Sequence, residues 1–440
     1  MGGAYEDMLR ALVGARRFGI RFDLARLRSV LAELAHPEER MGAIVHVGGT
    51  NGKGSTCALV ESALRQAGYK TGLYTSPHLC RFTERIRIGG DEVSGDELAA
   101  RWADMTGRIS GVALENNELT FFEQVTLLGF TMFAAAATDV VVLEVGLGGR
   151  LDATNVVDPT VACVTGVALD HEEHLGRDLG SIAQEKGGIF KPGRCGVVGA
   201  SGEPTGQGML VAEAWGRGVS ELVVVARDIP APLCEDWEIG LPGPHQRANA
   251  ACAAAVLDAL RRHSAGRIQV SIQALREGFR TAFWPGRLER VPGPPDTWLD
   301  GAHNPHGAQA LARALDAHGV YPRVVVVGVS AEKDAASLLG PIVSRAPVVI
   351  ATQAPTFRAL PAAELGGMAR TLVESARLPT QVPARVIVEP DYRAAMEGAR
   401  KEAGNEGAIL VYGSLFLVGA VRADLLDEPR DPLVTQDPAR

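Results

Sequence analysis

The 440-residue sequence lacks paired cysteine motifs. Its six cysteines are spread along the chain, and none belongs to a C-x-x-C pair. This spacing predicts neither a disulfide framework nor a zinc site, and it favours reduced thiols. We therefore expect a cytoplasmic protein without cross-links.

The sequence also lacks an apolar run long enough to cross a membrane. The longest one, residues 125–138, stops at Asp139 and is about four residues shorter than the shortest spanning helix. It is better interpreted as a buried helix that leads into a strand. The start of the chain, Met1 to Glu6, has no myristoylation pattern and no apolar run after it. We therefore expect no membrane partner and no targeting segment.

An excess of positive charge is absent as well. Lysine and arginine number 44 against 52 acidic residues, so the formal net charge is -8. This balance argues against a nucleic-acid partner, and it means that an anionic ligand must be held by a local group of bases. The length suggests about two or three domains, and 46% hydrophobic residues are enough for buried cores.

The most informative stretch is a glycine-rich turn with one lysine, G-G-T-N-G-K-G-S-T at residues 48–56. An apolar run precedes it and helical spacing follows it, which is the context of a phosphate-binding loop. Its glycines leave backbone N–H groups open to an anion, and Lys53 adds a full charge. The Walker pattern G-x-x-x-x-G-K-S/T would place glycine at 47 and a hydroxyl at 54, where this chain has Val47 and Gly54. We therefore predict nucleotide binding, with the metal-binding hydroxyl supplied from elsewhere.

Polar residues lie at the ends of other predicted strands. Ser76 follows a short strand and precedes a proline, which keeps it on an extended turn. Glu144 is the only polar residue inside the apolar run 139–145. A carboxylate there needs a cation, either Mg²⁺ or, as the alternative, Arg150. His171 follows a further strand, and it is a candidate second metal ligand or a structural histidine.

Two further basic positions have open interpretations. Arg85 and Arg87 alternate with isoleucines, which predicts both on one face of a strand. That face is either an exposed edge or a clamp for a substrate carboxylate. Lys186 precedes a pair of glycines and, from spacing alone, is an ordinary lysine in the last turn of a helix.

The second half of the sequence restarts an alternation of strands and helices after a group of prolines near residues 285–295. We predict a nucleotide-binding domain over 1–287, a linker over 288–296 and a second domain over 297–426. Residues 427–440 are expected to be disordered.

Six blocks in this order resemble the folylpolyglutamate synthase and dihydrofolate synthase branch of the Mur ligase superfamily. The resemblance runs from about residue 17 to residue 420. The blocks are G-T-N-G-K-G-S at 49–55, Y-T-S-P-H-L at 74–79 with E-R at 84–85, E-V-G-L-G-G-R-L-D-A-T-N at 144–155, D-H at 170–171, P-G-R at 285–287 and D-G-A-H-N-P at 300–305.

The resemblance implies an α/β fold in which a P-loop mononucleotide-binding domain with a parallel-rich central sheet is joined to a smaller Rossmann-like α/β domain. It implies ATP and two Mg²⁺ sites as cofactors, and a monomer. It also implies the reaction: ATP converts a folate-type carboxylate into an acyl phosphate, which the amine of L-glutamate attacks to form an amide. The acceptor is a folate, dihydropteroate or both.

The resemblance further implies roles for individual residues. ATP would be bound by Thr50, Asn51, Gly52, Lys53, Gly54, Ser55, Asn249, Arg287 and Asp300. The metals would be held by Ser76, Glu144, His171 and a carbamylated Lys186. Substrate contacts would come from Arg85, Thr120, Phe121, Phe122, Asn155 and Ser414, and His303 would act beside Lys53, His171 and Lys186 in catalysis. For the two phenylalanines, packing at the start of a helix is the alternative.

Two other functions fit part of the pattern. One is a P-loop switch protein that hydrolyses nucleotide without ligation, which would have no need for Arg287, Asp300 and His303 on a second domain. The other is another Mur-type amide ligase, such as one that builds peptidoglycan precursors.

Overall fold

The computed structural model describes residues 3–15, 24–110, 119–227, 237–375 and 385–432. Within these ranges the chain forms two α/β units, one on an eight-stranded sheet and one on a six-stranded sheet. The predicted α/β class with two parallel-rich sheets is therefore confirmed.

The first sheet has the strand order β4-β3-β2-β5-β1-β6-β7-β8. All neighbouring pairs are parallel except those that involve β3 and β4. Its strands are β1 Ala43–Gly48, β2 Thr71–Tyr74, β3 Ile86–Ile88, β4 Asp91–Glu92, β5 Val140–Glu144, β6 Val161–Val164, β7 Cys195–Val198 and β8 Glu221–Val224.

Helices cover both faces of this sheet, which is why its central strands are apolar throughout. On β5, Val140 and Val142 pack with α3, α9 and α10, whereas Val141 and Leu143 pack with α1, α2, α4 and α5. The helices are α1 Gly3–Gly14, α2 Leu24–Glu33, α3 Lys53–Gln66, α4 Gly95–Ile109, α5 Phe121–Ala136, α6 Glu172–Leu175, α7 Leu179–Gly187, α8 Pro204–Gly216, α9 His245–His263 and α10 Ile272–Thr281.

The second sheet has the order β13-β12-β11-β14-β10-β9, and only β9 runs antiparallel to its neighbour. Its strands are β9 Glu289–Val291, β10 Thr297–Asp300, β11 Val324–Val327, β12 Val348–Ala351, β13 Arg385–Val388 and β14 Ile409–Tyr412. The helices on its two faces are α11 Pro305–Ala317, α12 Ala335–Val343, α13 Ala362–Ser375, α14 Tyr392–Ala403 and α15 Leu415–Leu426.

The predicted linker over 288–296 is wrong in part. Strand β9 lies inside it and pairs with β10, so this segment forms the edge of the second sheet. Glu289, the first residue of β9, is buried and accepts a hydrogen bond of 2.9 Å from Nε of Arg422. Prolines flank the strand but do not interrupt its pairing. The outer limits of the two domains stay predictions.

The expected disorder of residues 427–440 is wrong for the part that the structure describes. Glu428 forms ion pairs with Arg422 and with Arg81, at 2.6 and 3.0 Å. Asp431 accepts hydrogen bonds of 2.7 Å from the Tyr5 hydroxyl and from the Phe82 backbone. Charge pairing therefore fixes a segment whose composition is polar. Residues 433–440 lie outside the described residues.

The two units touch directly. Leu79 and Cys80, on the loop after β2, belong to a core cluster of the second unit, and Cys80 Sγ lies 3.4 Å from the Gly419 carbonyl oxygen on α15. Among the helices described, none is long and apolar enough to cross a membrane.

Candidate active site between the two sheets

A cleft of about 460 Å³ lies between the two units. It opens at the carboxyl ends of β1, β2 and β5, where ligands bind in open parallel sheets. Most of the predicted site residues line it: Thr50, Asn51, Gly52, Lys53, Gly54, Ser55, Ser76, Glu144, His171, Lys186, Asn249, Arg287, Asp300, His303 and Ser414.

The loop between β1 and α3 has the geometry of a phosphate cradle. Gly49 and Gly52 have φ angles of 139° and 83°. A Cβ at Gly52 would lie 2.4 Å from Oδ1 of Asn249, so only glycine fits against that side chain. Lys53 is the first residue of α3, and its Nζ donates to the carbonyl oxygens of Gly49 and Thr50 at 3.1 and 3.2 Å. The ammonium group and the helix N-terminus therefore face the same space, which fits a polyphosphate.

Glu144 ends β5 with a buried carboxylate at the floor of the cleft. Its Oε2 accepts a hydrogen bond of 3.1 Å from the backbone N–H of Ser76, so the two predicted metal ligands are adjacent. Burial raises the pKa of Glu144, and the charge of Lys53 opposes that rise. The alternative partner, Arg150, instead forms an ion pair of 2.8 Å with Glu185. A buried carboxylate beside a serine fits a magnesium ion by the chemistry of its donors.

His171 lies at the cleft with its backbone in the left-handed region, at a φ of 51°. Burial is the main cause that lowers the pKa of its imidazole to about 3, and the charge of Lys333 adds to it. The ring is therefore neutral at pH 7, which leaves one nitrogen lone pair free to bind a cation.

The neighbouring Asp170 joins the two units. It accepts hydrogen bonds of 2.8 Å from Nζ of Lys333 and 2.9 Å from Nδ2 of Asn304, both on the second unit. Nδ2 of Asn304 also donates to Oδ1 of Asn51 on the phosphate loop, at 3.0 Å. We call Asn51, Asp170, Asn304 and Lys333 the bridging network. It ties the loop and the segment of His171 directly to the second unit.

Lys186 is not the ordinary last-turn lysine that its spacing indicates. Its side chain is buried, and Nζ donates to the Gly49 carbonyl oxygen at 3.2 Å. That same oxygen accepts from Lys53, so two ammonium groups share one acceptor. Burial, with the charge of Lys53, lowers the pKa of Lys186 to about 7.

The second unit supplies the opposite wall. The two carboxylate oxygens of Asp300 accept 2.8 Å hydrogen bonds from the backbone N–H groups of Leu288 and Ala302. Burial raises the pKa of Asp300, and the nearby guanidinium of Arg287 opposes the rise. Nδ1 of His303 lies 2.8 Å from the Gly301 carbonyl oxygen and must therefore carry the proton. Burial lowers the pKa of His303 to about 4, so its Nε2 is a free acceptor.

Two predicted contact residues are held in place by hydrogen bonds to their neighbours. Ser414 lines the cleft and caps α15, since its hydroxyl accepts from the Phe416 N–H at 3.2 Å. Asn249 accepts from the Ser201 hydroxyl and donates to Gln246, both at 2.8 Å. Each side chain is thereby held in one orientation at the wall of the cleft.

The expectation that Arg85 and Arg87 share a strand face is wrong. Strand β3 begins only at Ile86, and Arg85 ends a short 3-10 turn. Arg85 is fully buried and its Nε donates to His78 at 2.8 Å, with Cζ 5.4 Å from the centroid of the Phe121 ring. Arg85 therefore lies outside the described lining of the cleft, and its contact with a substrate carboxylate stays a prediction.

Four other predicted substrate residues also lie outside the described lining of this cleft. Thr120 caps α5 by accepting from the Glu123 N–H at 3.3 Å, and Phe121 is in the core. Phe122 packs edge-on against Tyr74. Asn155 donates to the carbonyl oxygens of Arg150 and Gly188 at 2.9 and 3.1 Å. The packing alternative thus accounts for both aromatic rings, and Asn155 fixes backbone segments.

Sequence reasoning missed Asp170, Lys333 and Arg358 among the residues that line the cleft, and it missed Asn304 of the bridging network. Asp170 and Asn304 stand inside the recognised blocks, next to residues that were chosen, and their position in the bridging network gives them a role. Lys333 lies on a loop without a recognisable motif, so no signal in one sequence could have found it. Arg358 also lines the cleft, with Cζ 5.4 Å from the centroid of Phe416.

Comparison with known proteins agrees with this geometry. The Mur ligase middle domain matches residues 47–201, and the Mur ligase glutamate ligase domain matches residues 286–415. The dihydrofolate synthase/folylpolyglutamate synthase of Bacillus subtilis is 37% identical over 350 residues, which are 75% of this chain and 80% of that protein.

Two solved structures extend the likeness. Escherichia coli FolC in complex with DHPP and ADP has a TM-score of 0.82 at 32% identity, covering 97% of this chain and 99% of that one. The bifunctional folylpolyglutamate synthase/dihydrofolate synthase of Yersinia pestis, with AMPPNP and a Mn ion, has a TM-score of 0.77 at 33% identity, covering 92% of this chain and 94% of that one. The chain therefore belongs to the folylpolyglutamate synthase/dihydrofolate synthase family, a branch of the Mur ligases.

Proposed function

We propose that the cleft binds ATP on the first unit, activates a folate-type carboxylate and joins it to the amine of L-glutamate. The family is one of ATP-dependent glutamate ligases that act on folates. The observation that carries the proposal is that a lysine-bearing phosphate loop, a buried carboxylate and Arg287, Asp300 and His303 of the second unit line one cleft. A nucleotide switch has no need for that second wall.

In the first step a substrate carboxylate oxygen attacks the γ-phosphorus of ATP. The bond between that phosphorus and the bridging oxygen breaks, and ADP leaves with the electron pair. The product is an acyl phosphate, in which a poor electrophile has gained a good leaving group. Lys53 and the backbone N–H groups of residues 51–55 would lie where charge accumulates on the phosphates, and Mg²⁺ held by Glu144 and Ser76 would offset more of it.

In the second step the glutamate amine attacks the acyl carbon. A C–N bond forms, the C–O bond to phosphate breaks, and the amine loses one proton. His303 and Ser414 lie on the wall of the second unit, where the incoming amino acid would approach. With Nδ1 committed to Gly301, His303 offers Nε2 as an acceptor that orients the amine.

We also propose that Lys186 is carbamylated. Its neutral amine would bond to the carbon of CO₂ and release a proton, which places a carboxylate where an ammonium group was. The support is geometric: Lys186 is buried and shares the Gly49 oxygen with Lys53, so the change replaces like-charge repulsion with attraction. The new carboxylate would also be available to a second metal with His171.

The carbamate has its own test. In ¹³C-bicarbonate solution, the wild-type protein should give a carbamate carbon signal that the Lys186→Ala variant lacks. The exposed Lys401→Ala variant is the matched control and should keep the signal. Identical spectra for wild type and Lys186→Ala would remove this proposal and leave the rest intact.

The ligase itself is tested by ADP release. The protein is incubated with Mg·ATP, L-glutamate and either dihydropteroate or tetrahydrofolate. We expect ADP release that requires both glutamate and at least one pterin acceptor, and the acceptor that works defines the substrate. Release that is indifferent to both would favour a nucleotide switch instead.

A further inference from the structure

Three side chains with metal-binding atoms meet far from the cleft, at the amino ends of β7 and β8. Cys195 begins β7 and Glu221 begins β8, and the parallel register pairs them directly. Side chains at paired positions leave a sheet on the same face. Helix α9 packs against β7 on that face and ends at His263. The sheet and the helix end therefore bring sulfur, oxygen and nitrogen together.

The geometry of this group is compact. The thiol of Cys195, a carboxylate oxygen of Glu221 and a ring nitrogen of His263 all lie within 4.8 Å of one another. Nε2 of His263 is 2.8 Å from Oε2 of Glu221, so these two atoms share one proton. Among the residues that the structure describes, the buried Cys195 thiol makes one long hydrogen bond, of 3.9 Å, to the Gly196 carbonyl oxygen. To bind here, a cation would have to replace the proton of the Cys195 thiol and the proton between Glu221 and His263.

The surrounding charges tolerate a cation. Glu221 also pairs with Arg262 through its other oxygen, Oε1. Arg262 has a second carboxylate partner, Asp258, at 3.2 Å, and Asp258 also pairs with Arg261 at 2.9 Å. Oε2 of Glu221 can therefore turn to a cation while Arg262 keeps both of its ion pairs. Burial raises the pKa of the Cys195 thiol to about 11, so a cation must displace its proton to bind.

We propose that Cys195, Glu221 and His263 form a binding site for a divalent cation of the Zn²⁺ class. One thiolate, one imidazole and one carboxylate are a donor set that zinc accepts in tetrahedral geometry, and hard cations such as Mg²⁺ avoid thiolate. His263 is partly exposed, which leaves the fourth position open to water. The bound ion joins the carboxyl end of α9 to β7 and to the edge strand β8.

The test uses cobalt(II) as a spectroscopic probe on the metal-free, reduced full-length protein. We expect a thiolate-to-cobalt charge-transfer band that saturates at one equivalent of thiolate-bound cobalt and that Zn²⁺ removes; cobalt bound in the cleft has no thiolate ligand and does not contribute to this band. Cys195→Ser should abolish the band. His263→Gln, at a partly exposed helix end where the fold tolerates change, should weaken binding about tenfold or more.

The control lies in another group of potential ligands. His36, Glu38 and Glu39 also cluster, on a surface turn without sulfur. His36→Gln should leave both the band and the affinity at wild-type values. Cobalt binding without a thiolate band, or wild-type affinity in His263→Gln, would overturn the proposal. The His263→Gln variant is measured separately. The proposal can therefore still be refuted if Cys195→Ser fails to fold.

Discussion

The two walls of the cleft are built differently. On the first unit, charged groups face one another: the half-buried Lys53 and the buried Lys186 share one carbonyl oxygen, and the buried Glu144 accepts, among the described residues, one backbone hydrogen bond. On the second unit, Asp300 is already satisfied by two backbone N–H groups. We therefore expect the first wall to gain most from a polyphosphate and cations, and the second wall to orient the substrates. On the proposed function, charge compensation comes from the first unit and positioning from the second.

The largest effect is expected from the first wall. Lys53→Ala removes the charge closest to the phosphates, so ATP-dependent turnover should fall by roughly 10³-fold or more, in the range of lost transition-state donors. Circular dichroism should be unchanged, because the partners of the Lys53 ammonium group among the described residues are two loop carbonyl groups. The exposed Lys401→Ala variant should keep full activity. Retained activity in Lys53→Ala would contradict the role of the loop.

Glu144→Gln should separate activity from stability. The variant should need about 10- to 100-fold more Mg²⁺ for activity, since a ligand to the cation is lost. Burial raises the pKa of Glu144, so the folded state holds its proton more tightly than the unfolded state. The metal-free protein therefore loses stability as pH rises from the ordinary carboxyl pKa through the raised one.

Glutamine at position 144 removes the free-energy cost of a buried, ionised carboxylate. In EDTA at pH 8, thermal unfolding of Glu144→Gln should occur at a higher temperature than that of wild type, and added Mg²⁺ should narrow the difference. A variant that is less stable than wild type in EDTA would mean that the carboxylate is already compensated without a metal.

A smaller effect is expected where the two walls join. Lys333→Met removes the ion pair with Asp170 but leaves the hydrogen bond from Asn304, so the bridging network is weakened rather than lost. We expect about tenfold lower kcat/KM for glutamate, from a partly buried charged hydrogen bond worth about 1.5 to 3 kcal/mol. Nucleotide affinity, measured by calorimetry, should change less. Equal losses in both would show that Lys333 does not act between the units.

The smallest effect belongs to the helix cap away from the cleft. Thr120→Ala deletes the cap of α5 and should lower the free energy of unfolding by about 1 kcal/mol, measured by urea denaturation. The KM for ATP should stay unchanged, because Thr120 lies outside the described lining of the cleft. An altered KM for ATP with unchanged stability would place it in the site instead.

The sequence allowed most of the first wall to be predicted, because its residues follow strands in short recognisable blocks. Glu144 was predicted because a carboxylate in an apolar strand is energetically unfavourable without a cation. Lys53 was predicted because it lies in a glycine-rich turn. Arg85 was misplaced because alternation with isoleucine looks the same whether the strand begins at residue 85 or 86. A side chain that precedes the first residue of a strand need not follow the alternation of that strand.

Contacts between distant segments were out of reach. Lys333 contacts Asp170 because the two units face each other across the cleft. No local sequence pattern at either residue predicts this ion pair. The same holds for Cys195, Glu221 and His263, whose spacing matches no zinc motif and whose meeting depends on strand register. The tail carrying Glu428 appeared disordered by composition, since ion pairs with Arg81 and Arg422 cannot be read from polarity.

The most direct test of the account is a crystal structure with Mg²⁺ and a non-hydrolysable ATP analogue. We expect the terminal phosphates against residues 50–55 and Lys53, a cation at Glu144, and the ribose toward Asp300. A nucleotide bound away from Glu144 and from the second unit would contradict the central claim that the two walls act on one triphosphate.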